Sequence, residues 1–154
     1  ANIRSRSGDW ERDCMFASNK GALLVCTERK SRYTVIKRLP CLKANVVSEV
    51  TMQVLNSTGR KVHTVTNDRG PEFYEPLPGV RTYYCDPQSP QQRGTIENTI
   101  GLLRQYIKRT TSLDQITEDQ LNEIEEKLNF RPRKCLGYLS PFEAFFQTRV
   151  ALAS

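Results

Sequence analysis

Three acidic residues of this 154-residue chain, Asp13, Asp68 and Glu97, stand where they could act together. Each also has an ordinary structural reading. Asp13 lies between Trp10 and the apolar run Cys14-Met15-Phe16, where simple strand alternation would equally set it on a solvated face. Asp68 closes a strand-like segment just before Gly70, a position at which aspartate serves turns. Glu97 falls in the first turn of a helical segment, where the macrodipole favours acids whatever their role. Jointly they allow a geometry that none has alone. If the first and fourth strands lie side by side and parallel, a mid-strand acid and one at the neighbouring strand's end converge, and a helix can bring the third. Three carboxylates around one point repel unless cations sit between them. Oxygen ligands with open positions select Mg2+ or Mn2+ over zinc.

Other chemistries lack their parts. His63 is the single histidine, so a zinc site with clustered Cys and His ligands or a His-dependent triad has little to draw on. The five cysteines (Cys14, Cys26, Cys41, Cys85 and Cys135) are odd in number and widely spaced. That pattern predicts small buried hydrophobes in a reducing compartment rather than a disulfide framework. No apolar run approaches the roughly 20 residues that cross a bilayer.

Charge adds a direction. The chain carries 23 Lys+Arg against 17 Asp+Glu, a net +6. Residues 1–40 hold nine basic and four acidic groups, whereas residues 111–129 hold one basic and six acidic. One surface facing phosphate and another facing solvent or a partner would explain this segregation; a solubilising mixture of charges would as well.

The elements that must position the acids follow from periodicity. Trp10–Ala17, Ala22–Thr27 and Arg32–Leu39 read as three strands joined by short polar connections, hence antiparallel neighbours. Residues 44–57 switch to a helical period, with Val46, Val47, Val50 and Val54 as the core stripe. Lys61–Thr66 and Val80–Cys85 read as a fourth and a fifth strand. A helix begins near Thr95, with Ile96, Ile100, Leu103 and Ile107 inward. On its wheel Arg104 and Lys108 fall within about 20° of Glu97, a face suited to a nucleic-acid strand leaving a metal. A helix over about 117–130 opens with Thr117 and Gln120 in capping-box spacing. A last one opens with Ser140 as N-cap, Pro141 at its first position and Glu143 at its third. The order βββ-α-β-β-ααα predicts an α/β fold with a mixed sheet.

Four segments, GDWERD (8–13), TNDRGPEF (66–73), DPQSPQQRGTIENTIGLLRQY (86–106) and LNFRPRKCLGY (128–138), resemble bacterial insertion-sequence transposases of the IS-thirty type. These are members of the DDE transposase and retroviral-integrase superfamily. The resemblance runs in order from about residue 8 to 147. It implies a ribonuclease-H-like fold, a mixed five-stranded sheet of three antiparallel strands and two more parallel to the first, flanked by helices. It also implies that Asp13, Asp68 and Glu97 are the catalytic and metal-binding acids. Arg12 and Arg69 stand where the family usually has glycine and asparagine, Gln91 where tryptophan is usual, and Ile100 where asparagine is usual.

The function so implied is DNA 3′-end nicking and strand transfer by in-line phosphoryl transfer, with two Mg2+ or Mn2+ ions and DNA (element ends and target) as partner. Arg93, Arg104 and Lys108 are the expected phosphate contacts near the metals, and Arg131, Arg133 and Lys134 a second patch; ordinary solvated charge is the alternative for each. The family implies a dimer or higher multimer in the DNA complex, in the bacterial cytoplasm at the nucleoid. The chain begins without methionine, as an excised fragment would. The expected layout is a remnant or linker over 1–7, a catalytic core over 8–110 and C-terminal helices packing on it over 111–154, without the family's helix-turn-helix segments. Two other readings stay open: a metal nuclease of the same fold without strand transfer, and a catalytically impaired or domesticated DNA-binding or assembly module.

Overall fold

The segment ALLVCTE at residues 22–28 has no polar alternation to offer solvent, so as a strand it needs cover on both faces. In the computed structural model, which describes residues 6–16, 21–85 and 94–148, it has that cover: all seven residues are buried. The elements are β1 (Asp9–Phe16), β2 (Ala22–Glu28), β3 (Thr34–Leu39), α1 (Ala44–Asn56), β4 (Thr64–Asn67), β5 (Arg81–Tyr84), α2 (Gly94–Leu103), α3 (Glu118–Asn129) and α4 (Pro141–Phe146). The sheet order is β3-β2-β1-β4-β5. β1, β2 and β3 pair antiparallel, and β4 joins β1, and β5 joins β4, in parallel. This is the expected mixed five-stranded sheet.

Two cores lie on its two faces. On one, Trp10, Cys14, Leu24, Cys26, Val35 and Val65 pack with Val47 and Leu55 of α1 and Phe145 of α4. On the other, Met15, Leu23, Val25 and Ile36 pack with Ile96 and Leu103 of α2 and Leu121 and Leu128 of α3. Adjacent residues of β1 therefore serve opposite cores, as the period of two requires. Aromatic contacts seat the short α4: Phe145 stacks on Tyr33 at 4.7 Å and meets Trp10 edge-on at 5.6 Å.

Beyond shifts of one or two residues at other strand ends, two boundaries and one helix face differ from the sequence expectation. β4 begins at Thr64 rather than Lys61, because the N–H groups of His63 and Thr64 both turn to the carbonyl of Gly8, at 2.7 and 3.3 Å. Only glycine suits that crossing: Gly8 has φ +107°, and a Cβ there would sit 2.6 Å from the His63 ring. α2 ends at Leu103, where Gln105 N–H bonds Leu102 O and Tyr106 N–H bonds Leu103 O, tightening the turn. Lys108 therefore lies beyond the helix, so no continuous helical face runs from Glu97 to Lys108. In α1 the fully buried positions are Val47, Ser48, Thr51 and Leu55, with Val50 and Val54 at the margin. The face is rotated because Thr51 is drawn inward by a polar contact described below.

The edge of β3 is closed by side chains rather than by another strand. Asn129 accepts from Thr34 N–H at 2.9 Å and donates to Thr34 O at 2.7 Å, replacing a strand partner at that residue. One helical turn earlier, Glu125 accepts from Ile36 N–H at 3.0 Å. Arg38, two residues further along β3, donates to the carbonyls of Leu113 and Ile116. Alternate residues of the strand thus meet successive turns of the segment 113–129, which removes a pairing edge.

Burial holds the Glu125 carboxyl above its ordinary range, against the opposing pull of the Ile36 N–H. A raised folded-state pKa contributes stability that is full below the unfolded value and is lost as pH rises through the folded one. Glu125→Gln keeps an acceptor for Ile36 without that cost. Urea unfolding should find the variant at least as stable as the parent at neutral pH, with its relative advantage shrinking as pH falls toward the ordinary glutamate range. A destabilisation above about 1 kcal/mol at neutral pH would contradict this assignment.

Candidate active site

β1 and β4 pair in the register Asp9↔Thr64, Trp10↔Val65 and Glu11↔Thr66, a constant offset of 55 residues. Asp13 and Asp68 are separated by the same number (68 − 13 = 55), two positions beyond the last paired residues. Continuing that register would set Asp13, inside β1, level with Asp68, the first residue past β4; axes of neighbouring strands lie about 4.8 Å apart. Thr64 and Asp9 obey the same offset, with the threonine hydroxyl donating to Asp9 Oδ1 at 2.7 Å.

That face of β1 carries three carboxylates in succession, Asp9, Glu11 and Asp13, and the structure separates their roles. Asp9 is buried and taken by Thr64 and by the guanidinium of Arg6, with Arg6 Nε at 2.8 Å. Burial would raise its pKa, but the bonds from Arg6 and Thr64 outweigh it and hold the carboxyl below the usual range. Glu11 is buried and paired with Arg29. Asp13 is the one of the three that reaches partial exposure, with Oδ1 accepting from Cys14 N–H at 2.8 Å. Asp68 is also partly exposed and folds the turn after β4 by accepting from Gly70 N–H at 2.9 Å. Glu97 stands exposed in the first turn of α2, which covers β1 and β2 on this same face. Among the described residues no three His, Cys, Asp or Glu side chains are gathered closely enough to hold a metal. Asp13 lies within β1 and Asp68 just past the end of β4, while Glu97 is on the helix that covers β1 and β2.

The opposite face of β1 secures the same pair of strands. Arg12 is fully buried, and its Nε donates to Asn67 Oδ1 at 2.5 Å, again across the offset of 55. Its Nη1 donates to Thr51 Oγ1 of α1 at 2.8 Å and its Nη2 to Phe73 O at 3.5 Å. The guanidinium also lies over the Phe73 ring, 4.8 Å from its centre. One side chain thus grips the residue before Asp68 and the 3-10 turn Pro71–Phe73 after it. This explains how arginine is held where the resemblance leads one to expect glycine, and why Thr51 turns inward. Arg69 does not turn to Asp68: its Nε donates to Cys85 O at 3.3 Å. Burial pushes the thiols of Cys14 and Cys26 up, that of Cys26 to about 12, so neither offers a thiolate.

The basic candidates divide by position. Arg93 and Gln91 lie outside the described residues. Arg104 reaches the sheet end that carries Asp13: its Nη2 donates to Phe16 O at 2.8 Å, while Nε and Nη1 are buried with no partner among the described residues. Lys108 is exposed beyond α2. Arg131, Arg133 and Lys134 follow α3, whose last residue meets Thr34 at the start of β3. β3 runs in the direction of β1, since both are antiparallel to β2, so this patch sits at the end of the sheet away from Asp13 and Asp68. Arg133 Nη2 also folds back onto Leu128 O at 3.3 Å. Glu11, Arg12 and Asn67 were missed from sequence. Their signal was the offset itself, which pairs residue 12 with 67 once β1 and β4 are set parallel.

Removing the Arg12 side chain leaves a cavity and takes the donor from buried Asn67 Oδ1. Arg12→Ala should lower unfolding stability by about 3 kcal/mol, measured by urea or thermal denaturation; unchanged stability would contradict the role given to this contact.

No family model matches the chain. Over 151 residues it is 38% identical to the transposase for insertion sequence element IS4351 of Bacteroides fragilis, an alignment covering 94% of this chain and 46% of that protein. Over 150 residues it is 40% identical to transposase InsI for insertion sequence element IS30A of Escherichia coli strain K12, covering 92% of this chain and 39% of that protein. The chain thus spans less than half the length of these relatives. Among solved structures it is similar to the catalytic core domain of BIV integrase, with a TM-score of 0.69 and 22% identity over 92% of this chain and 95% of that one. The chain is a sequence relative of insertion-sequence transposases and has the ribonuclease-H-like fold of integrase catalytic cores.

Proposed function

We propose that this chain is the catalytic core of a transposase, cutting DNA to free a 3′ end and joining that end to target DNA by divalent-metal-dependent in-line phosphoryl transfer. The observation that supports the reading is the parallel register of β1 with β4 at an offset of 55, the same separation as that of Asp13 from Asp68. An oxygen-only donor set on two aligned carboxylates fits a hard divalent cation, Mg2+ or Mn2+. Asp13 and Asp68 would hold one ion, and Glu97 would complete the binding of a second. When bound, such ions lower the pKa of an attacking water or 3′-hydroxyl and stabilise the leaving oxygen.

The chain's own residues then have distinct tasks. Arg104, fixed at the end of β1 by its bond to Phe16 O, adds positive charge for a phosphate at that end of the strand. In this reading Arg93, outside the described residues, and Lys108, exposed beyond α2, are further phosphate contacts. Arg131, Arg133 and Lys134 form a second contact for the same DNA or for target, at the far end of the sheet. Residues 8–110 act as the catalytic core and 111–154 as helices that brace it, with 1–7 as a linker. DNA is the partner, the working form is a multimer, and the site of action is the bacterial nucleoid; among the described residues no helix is long and apolar enough to cross a membrane.

A labelled-DNA assay with Mn2+ or Mg2+ tests this. The parent chain should nick DNA and join a 3′ end to target, with Asp68→Asn and Glu97→Gln each reducing nicking by about 100-fold or more. Metal-dependent nicking that both variants retain in full would sink the proposal, and nicking without joining would convert it to a nuclease. DNA binding should weaken steeply with added salt, and Arg131→Ala/Lys134→Ala should lessen that dependence without abolishing nicking. Salt-independent binding would remove the phosphate-contact role.

A further inference from the structure

Glu11 is 1% exposed, and both its carboxylate oxygens are engaged. Oε2 accepts from Arg29 Nε at 2.8 Å, and Oε1 accepts from the backbone N–H of Ile96 at 3.1 Å. Ile96 is the third residue of α2, so its N–H belongs to the group that no helical carbonyl can satisfy. A carboxylate at that place also meets the positive end of the helix dipole. The other half of the clamp is itself anchored, because Arg29 N–H bonds Asp9 O of β1 at 2.8 Å.

The placement matters more than the bond. Glu11 precedes Asp13 by two residues on the same face of β1, and Ile96 immediately precedes Glu97. The path from the strand acid to the helix acid is therefore Asp13, Arg12, Glu11, one hydrogen bond, Ile96 and Glu97. We propose that Glu11 is a positioning residue: it fixes the first turn of α2 against β1 and so sets where Glu97 stands relative to Asp13. This rests on the reading of Asp13, Asp68 and Glu97 as the metal-holding acids.

The carboxylate form is required for a stated reason. Arg29 and Ile96 both donate, so residue 11 must accept at two separated atoms. Glutamine accepts at one and presents an N–H2 group to a donor at the other. Aspartate keeps the charge and both acceptors but is one methylene shorter, so it cannot hold Arg29 and reach α2 together.

The experiment uses Glu11→Gln and Glu11→Asp in this chain, with two readouts. Amide hydrogen exchange at Ile96 should speed up by about tenfold or more in both variants, while exchange in β1 and β2 stays as in the parent. At saturating DNA, nicking should fall by about tenfold or more, and the Mg2+ concentration for half-maximal rate should rise several-fold, with DNA binding unchanged. Unchanged exchange at Ile96, or an unaltered metal requirement in an active parent background, would overturn the proposal. So would loss of the folded state in both variants by circular dichroism, which would make Glu11 a general structural residue. A parent chain that does not nick at all would instead sink the transposase reading, and the exchange measurement would still decide whether the clamp exists.

Discussion

The parallel pairing of β1 with β4 at an offset of 55 residues is the constraint on which the rest of the molecule depends. It brings two side-chain pairs into contact. Asp9 meets Thr64 and Arg12 meets Asn67, and the same offset carried one step further would set Asp13 level with Asp68. A slip of one residue would reverse the facing of every side chain in β4 relative to β1, sending Asp68 toward the α1 core. Both pairs are buried and hydrogen-bonded, so they penalise any other register.

Within β1 the alternation of a strand divides the labour of the run Asp9–Asp13. Residues 10 and 12 enter the α1 core, where Trp10 supplies apolar area and Arg12 supplies hydrogen bonds to both flanks of Asp68. Residues 9, 11 and 13 face α2, the first two engaged by Arg6, Thr64, Arg29 and Ile96, the third partly open. A buried arginine is costly, and no carboxylate pairs with it among the described residues. What it gains is geometry, since three oxygen acceptors and a ring face converge on one guanidinium.

The strands, their order and both capping boxes were legible in the sequence because each has a local cause. Thr117 with Gln120 and Ser140 with Glu143 form the reciprocal bonds their spacing suggested. The features that escaped have non-local causes. The α1 face turned because Thr51 answers Arg12, 39 positions away. α2 stopped at Leu103 although Ile107 keeps the apolar period, for Ile107 reaches the core from a tightened turn. Asn129 and Glu125, polar residues of α3, serve as the missing neighbour of β3 through contacts about 90 positions away in sequence. The three acids were visible as types and spacing. What the sequence could not supply was the register of β1 with β4, or the glutamate that ties the helix of the third to the sheet.

The central claim is that Asp13 and Asp68 form the seat of a divalent cation. A crystal of the chain equilibrated with millimolar Mn2+ and recorded at the manganese absorption edge tests it most directly. An anomalous peak is expected within coordination distance of carboxylate oxygens from both Asp13 and Asp68. A well-ordered sheet with no peak there, or with manganese bound only elsewhere, would contradict it.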